Sequence, residues 1–294
     1  MFYIDSEKKI TVSLGGKCSL GCKHCYTNCS AFLHQDKITV KELIKDLGCI
    51  DSNTFTTICI SGDVDTFLNP YEGLELIALL AEIYRKKTIM FTTRLVPNDN
   101  IKKELTLIGK KCLERGQLFI PCISVISFAY PNQIENSKLV PSTTERLDFF
   151  IKLCKSGIPC FLTLRPTFPF EIVQMSEIVN ILKYVKNLPA SVLGEVLLLD
   201  QNGEIEKRLG MQVINKNNPI QISKMTFLNQ ECYWKKVYFR NEHKEIKKEC
   251  NNLGMPFFLR SMSAIRYIER SGYMQNGYKH NERFFNDEEL DIFP

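Results

Sequence analysis

Apolar runs of strand length alternate along the chain with segments whose apolar residues recur every third or fourth position, the pattern of successive βα units. The first run is Ile10-Thr-Val-Ser-Leu14, and a loop rich in Gly and Cys follows it directly. Thr39-Val-Lys-Glu42 has the form of a capping box, in which the threonine oxygen accepts a backbone N–H and the glutamate reaches back to the cap. It predicts a helix that closes near Gly48. A second strand is predicted over 57–61. Asn69-Pro70 then opens a helix with Leu74, Ile77, Leu80, Ala81 and Tyr84 at helical spacing. A third strand over 89–92, a polar helix over 102–107 and a fourth strand over 119–127 follow. Ser142-Thr-Thr-Glu145 is a second capping box; it leads a stripe of Leu147, Phe150, Ile151 and Cys154, and Gly157 stops it before Pro159. A fifth strand over 161–164, a helix over 175–185 and a sixth strand over 192–199 complete the series.

Six such units predict an α/β fold, a partial (β/α)6 TIM-type barrel open on one side, with ligands at the carboxyl ends of its strands. The periodicity fails after Asp200. Residues 201–294 carry Asn-rich turns, a short apolar piece at Pro256-Phe-Phe-Leu259 and an acidic tail. The expected organisation is a barrel over 1–200 and a C-terminal extension over 201–294 that caps the open side and shapes a substrate pocket. No sharp boundary divides them, and no repeat of solenoid period occurs.

The 294 residues are 44% hydrophobic and 24% charged, the balance of an ordinary globular protein. The start has no basic stretch followed by an apolar one, and no apolar run reaches the roughly 18 residues of a membrane span. A cytoplasmic protein without membrane attachment is expected. The net charge of +5 permits an anionic substrate. The lysine pairs are spread out and interleaved with acids, so solvated faces explain them better than a nucleic-acid stripe. Among the 12 cysteines, Cys49, Cys59, Cys112, Cys122, Cys154 and Cys160 stand singly in apolar surroundings and read as small buried hydrophobes. Cys232 and Cys250 are too few for a second cluster. Reduced thiols in this number suit low oxygen.

The chemistry concentrates in Lys17-Cys-Ser-Leu-Gly-Cys-Lys-His-Cys-Tyr26, where Cys18, Cys22 and Cys25 stand at C-x3-C-x2-C spacing on the loop after the first strand. Three thiolates are one short of the set that closes a [4Fe–4S] cube, so one iron is left open to a ligand that reacts. The alternative is a structural or regulatory zinc site completed by Cys29 or His24.

The spacing resembles the signature of the radical S-adenosylmethionine (radical SAM) family, with His24 where that family usually has an aromatic residue. The resemblance implies an oxygen-sensitive enzyme whose cofactors are a [4Fe–4S] cluster and SAM. There the open iron chelates the SAM amino and carboxylate groups, and reductive cleavage yields a 5′-deoxyadenosyl radical that takes a hydrogen atom from substrate. It also implies a reducing electron donor such as flavodoxin or ferredoxin. The substrate is left open among small molecules, nucleotides and peptides.

Within that resemblance, Gly62 and Asp63 match the Gly-Gly-Glu-like turn that contacts the SAM amino group, with Ser61 in place of the first glycine and aspartate in place of glutamate. Without the triad the same residues would read as an ordinary turn. Thr92-Thr-Arg94 ends the third strand, and Ser124 and Ser127 end the fourth, where barrel enzymes place ligand-facing groups. Contacts from Thr92 and Ser127 to the ribose are expected, with satisfied loop hydroxyls as the alternative. The stretch from Ser127 through Arg146 to Arg165-Pro166 is similar to spore photoproduct lyase-like members of the family. That similarity implies Glu135 as an acid in the loop and Arg146 as a partner of the SAM carboxylate; the other reading pairs Arg146 with an exposed acid. In the extension, Tyr233, Trp234, Tyr238 and Arg240 are expected to face substrate, or else to pack as an amphipathic strand.

Overall fold

Strand β1 (Phe2–Ile4) folds back antiparallel on β2 (Lys9–Val12), and from β2 onward each strand is followed by a crossover that returns the chain parallel to its predecessor. The computed structural model describes residues 2–60, 62–129, 134–135, 138–210, 220–224 and 232–270. The crossovers carry helices α1 (Val40–Gly48), α2 (Pro70–Ile83), α3 (Asp99–Glu114), α4 (Thr143–Lys155) and α5 (Met175–Val185). Between them run β3 (Thr57–Ile60), β4 (Thr88–Thr93), β5 (Phe119–Val125), β6 (Cys160–Leu164) and β7 (Ala190–Gly194). Strands β2 to β7 are therefore parallel neighbours in chain order, the open barrel that the pattern of apolar runs predicts.

Both capping boxes form, Thr39 with Glu42 and Ser142 with Glu145. Helix α3 is longer than its predicted core, because Asn98 caps it by accepting the Ile101 N–H at 3.0 Å. Only Ile101, Leu105, Gly109 and Cys112 of that helix are buried, a stripe too narrow to show through the surrounding lysines. In α2 the buried residues are Gly73, Leu76, Ile77, Leu80 and Ala81, with Leu74 and Tyr84 partly buried against the same core. That helix also comes close to the loop before it: a Cβ on Gly73 would stand 2.1 Å from the Thr66 carbonyl oxygen. A backbone oxygen cannot swing aside. Gly73→Ala is expected to destabilise the protein by about 1–3 kcal/mol, read as a lower denaturant midpoint; an unchanged midpoint would refute the close approach.

The sheet separates two apolar clusters. Ile10, Ile58, Ile89, Phe91, Ile123 and Leu162 pack outward under the helices. Met90, Ile120, Cys122, Phe161 and Leu193 face inward and are covered by helix α8 (Ser261–Arg270) through Met262, Ala264, Ile265, Tyr267 and Ile268. Of the cysteines expected in the core, Cys49 is exposed at the end of α1, and Cys59 and Cys122 are on the inner face.

The predicted sixth strand divides in two. At Gly194 the chain leaves the main sheet, and Leu197–Leu199 forms β8 of a second, antiparallel sheet. The run is apolar throughout, so its pattern carries no sign of the break. The second sheet is completed by β9 (Ile220–Lys224) and β10 (Tyr233–Val237), with α6 (Glu204–Leu209) between β8 and β9. Helix α7 (Arg240–Asn252) then leads to β11 (Phe257–Phe258), which adds parallel to β7. Residues beyond 200 thus supply an edge strand and an inner helix to the barrel itself. The expected acidic tail and Ser61 lie outside the described residues.

Candidate functional site

The loop after β2 is tied down at its base and along its length. The Ile38 N–H donates to the Leu14 carbonyl at 2.8 Å and the Gly16 N–H to the Gln35 carbonyl at 2.9 Å, closing the loop where it leaves the barrel. Further out, the Lys23 N–H donates to the Ile134 carbonyl at 3.0 Å, and the Cys25 N–H turns back to the Cys22 carbonyl at 3.1 Å. Tyr26 begins a 3-10 turn and gives its hydroxyl proton to the Gly62 carbonyl. Gly62 has φ of 132°, a value that side chains disfavour, so the turn after β3 suits glycine.

These ties bring Cys18, Cys22 and Cys25 onto one cleft with Gly62, Asp63 and Thr92, a cavity of about 150 Å³ at the carboxyl ends of the strands. It shares Tyr26, Gly62, Thr92, Arg165 and Glu195 with a larger cavity of about 500 Å³ inside the barrel. Burial pushes the Cys22 thiol up to about 12, although Arg94 pulls against it, and burial raises Cys18 as well. A thiolate there needs a cationic partner such as iron. Among the described residues, no three His, Cys, Asp or Glu side chains are gathered as ligands of a single metal ion. A cube takes its thiolates on separate irons, and three thiols on one cleft are the donor set it requires.

Cys29 is turned elsewhere. It does not line the cleft, and its Sγ accepts a hydrogen bond from Arg208 Nη2 at 3.2 Å. His24 lines the cleft with both ring nitrogens engaged, Nδ1 by the Ile134 carbonyl at 3.2 Å and Nε2 by Arg94 Nη2 at 3.1 Å. Burial, then the neighbouring Arg94 charge, lower its pKa to about 3, so it is neutral and Nε2 accepts. Neither side chain is free as a fourth zinc ligand in this arrangement.

Asp63 is only 4% exposed. One carboxylate oxygen accepts from Ser13, and the other, buried at the cleft, has no hydrogen-bond partner. Burial raises its pKa against the Ser13 bond. An unpartnered carboxylate oxygen of this kind fits an ammonium group.

Ser127 and Arg146 are not among the residues that line the cleft. Ser127 is buried, and its chain is drawn toward α5, where Glu177 accepts the Phe128 and Ala129 N–H groups at 3.0 Å each. Arg146 is fully buried and bidentate to Glu135, at 2.6 Å and 3.0 Å, with the Ser124 carbonyl accepting from it at 2.7 Å. Its guanidinium pairs with a buried acid, where the alternative reading expected an exposed one, and Arg146 does not line the cleft. Arg94 stands on the other side of Glu135 and does line the cleft. Burial would raise Glu135, but Arg146 and then Arg94 outweigh it and hold the carboxyl below the usual range.

Sequence reasoning passed over Asp65, which fixes the turn by accepting the Arg94 N–H at 2.7 Å and the Phe67 N–H at 2.9 Å. It also passed over the Arg165–Glu195 pair at the junction of the two cavities. An acid two residues past Asp63 was the available signal for the first; the second joins the ends of the neighbouring strands β6 and β7, 30 residues apart in the chain, and left none. In the extension, Trp234 and Tyr238 line the larger cavity, Tyr233 is exposed, and Arg240 starts α7 away from it.

No protein-family model matches the sequence, and no curated protein sequence matches it. Solved structures match in fold. A spore photoproduct lyase variant with dinucleoside spore photoproduct superposes with a TM-score of 0.60 at 13% identity, over 94% of this chain and 77% of that one. A radical SAM methyltransferase from Sphaerobacter thermophilus gives 0.56 at 12% identity, over 88% and 68%. Streptococcus suis SuiB bound to S-adenosylmethionine gives 0.55 at 11% identity, over 97% of this chain and 65% of SuiB, so the chain spans just under two thirds of SuiB. The chain has the fold of radical SAM proteins. No helix among the described residues is long and apolar enough to cross a membrane.

Proposed function

We propose that this protein is a radical SAM enzyme, with Cys18, Cys22 and Cys25 holding a [4Fe–4S] cluster and SAM bound beside it. The observation that carries the reading is the meeting, on one cleft at the carboxyl end of the barrel, of three thiols and the unpartnered Asp63 oxygen. When bound, the reduced cluster and SAM supply a 5′-deoxyadenosyl radical that abstracts hydrogen from substrate. The chain's own residues bind and orient. In this reading Asp63 accepts the SAM ammonium, Gly62 leaves room for it through its backbone conformation, and Thr92 offers a hydroxyl to the ribose. Arg94 keeps positive charge near Cys22 and Cys25. A flavodoxin- or ferredoxin-like donor supplies the electron, and the substrate is a small molecule, nucleotide or peptide. SuiB has been solved with its precursor peptide, and spore photoproduct lyase with a dinucleoside.

Anaerobically reconstituted protein, given dithionite and SAM, is expected to release 5′-deoxyadenosine and methionine. No product above a Cys22→Ala control, from protein with a full iron load, would overturn the reading. Asp63→Asn should keep its iron and raise KM for SAM about tenfold or more, the worth of one charged hydrogen bond.

A further inference from the structure

The antiparallel register of the second sheet turns Trp234 and Lys236 to one face of β10, with Ser223 of β9 opposite Trp234, and these three line the larger cavity together with Tyr238 just beyond the strand. This face walls the open side of the barrel. Among the described residues lining the cavity, Lys9, Arg165, Lys236 and Arg260 stand with one carboxylate, Glu195. Glu195 is taken by Arg165, and Lys9 has Asp5 at 3.3 Å. No carboxylate among the described residues is paired with Lys236 or Arg260. A second observation is independent of charge. Thr163, 2% exposed, and Ser223 both line the cavity, and each has a buried hydroxyl oxygen without a hydrogen-bond partner.

We propose that this cavity seats the anionic group of the substrate, a phosphate or a carboxylate, on Lys236 and Arg260, with Thr163 and Ser223 donating hydroxyl protons to it. The body of the substrate then lies against Trp234, toward the cysteine cleft. The proposal rests on the reading of that cleft as the SAM site, since the larger cavity is the space left for substrate. Its volume of about 500 Å³ lies within the range of small-molecule sites. A substrate without a hydrogen-bond acceptor there would leave the two buried hydroxyls without partners, which is unfavourable. Ammonium and guanidinium both bind phosphate and carboxylate oxygens, so the shared chemistry is an oxyanion.

Calorimetric titration of the full chain at low salt, with inorganic pyrophosphate, citrate and glycerol as probes, tests this. Pyrophosphate or citrate should bind and glycerol should not, and added salt should weaken the binding. The double variant Lys236→Gln, Arg260→Gln should raise Kd about tenfold or more, while Lys244→Gln on the exposed face of α7 should stay within about twofold. Tighter pyrophosphate assigns a phosphate, tighter citrate a carboxylate, and equal affinity a general oxyanion seat. Absence of binding by either probe, or binding indifferent to the double variant, overturns the proposal. Anion binding in a protein that makes no 5′-deoxyadenosine would leave this site standing and remove the functional reading; SAM cleavage without anion binding would do the reverse.

Discussion

Cys18→Ala, Cys22→Ala and Cys25→Ala are each expected to lose most of the iron of anaerobically reconstituted protein and all SAM cleavage, whereas Cys29→Ser keeps both. The loss is large because a cubane on two thiolates has two open irons, and no other thiol lines the cleft to replace the third. Cys29 is close in sequence, but Arg208 holds its Sγ, and the same guanidinium donates to the Cys25 carbonyl at 2.8 Å. Iron analysis with the visible absorption of the four variants decides the matter. If Cys29→Ser loses as much iron as Cys22→Ala, the three-ligand assignment fails and the zinc-type four-cysteine reading returns.

Arg146→Ala is expected to destabilise the protein by about 3–5 kcal/mol, because it leaves the Glu135 carboxylate buried with a single cation. Glu135 is held below the ordinary carboxylate range in the folded protein, so its stabilising contribution is present above that range and is lost as pH falls through the folded pKa. The difference between the wild type and Arg146→Ala should therefore be full near neutral pH and shrink in acid. Denaturant unfolding of the cluster-free proteins across that interval measures it. An equal difference at acid and neutral pH would show that lost packing, rather than the charge pair, carries the effect. The consequence reaches the site, because Glu135 also holds Arg94, and Arg94 holds His24 at the cleft.

The features legible in the sequence are those whose physics is local. Each capping box bonds across three residues, so Thr39-Val-Lys-Glu42 and Ser142-Thr-Thr-Glu145 announce their helices without reference to the rest of the chain. The strand order follows from alternating apolar runs, since each βα crossover returns beside its predecessor. The cysteine spacing is local in the same sense, and so is the placement of Gly62 and Asp63 at the end of the next strand. Tertiary structure decided what depends on partners far along the chain. An apolar run over 192–199 satisfies one buried strand or two, and only the departure at Gly194 chose two. Phe257–Phe258 is too short to carry a period, and it became a strand because β7 offered an open edge. For Arg146 the sequence offered a ligand or an exposed acid, and the fold gave it the buried Glu135 instead, since a guanidinium withdrawn from water requires a carboxylate beside it. Arg208 reached Cys29 across 179 residues, a separation over which no pattern in the sequence carries information. The sequence by itself determined the elements, their order and the loop that carries the thiols; which side chains meet across the barrel was decided by packing, because contact energies act between residues that only the folded chain brings together.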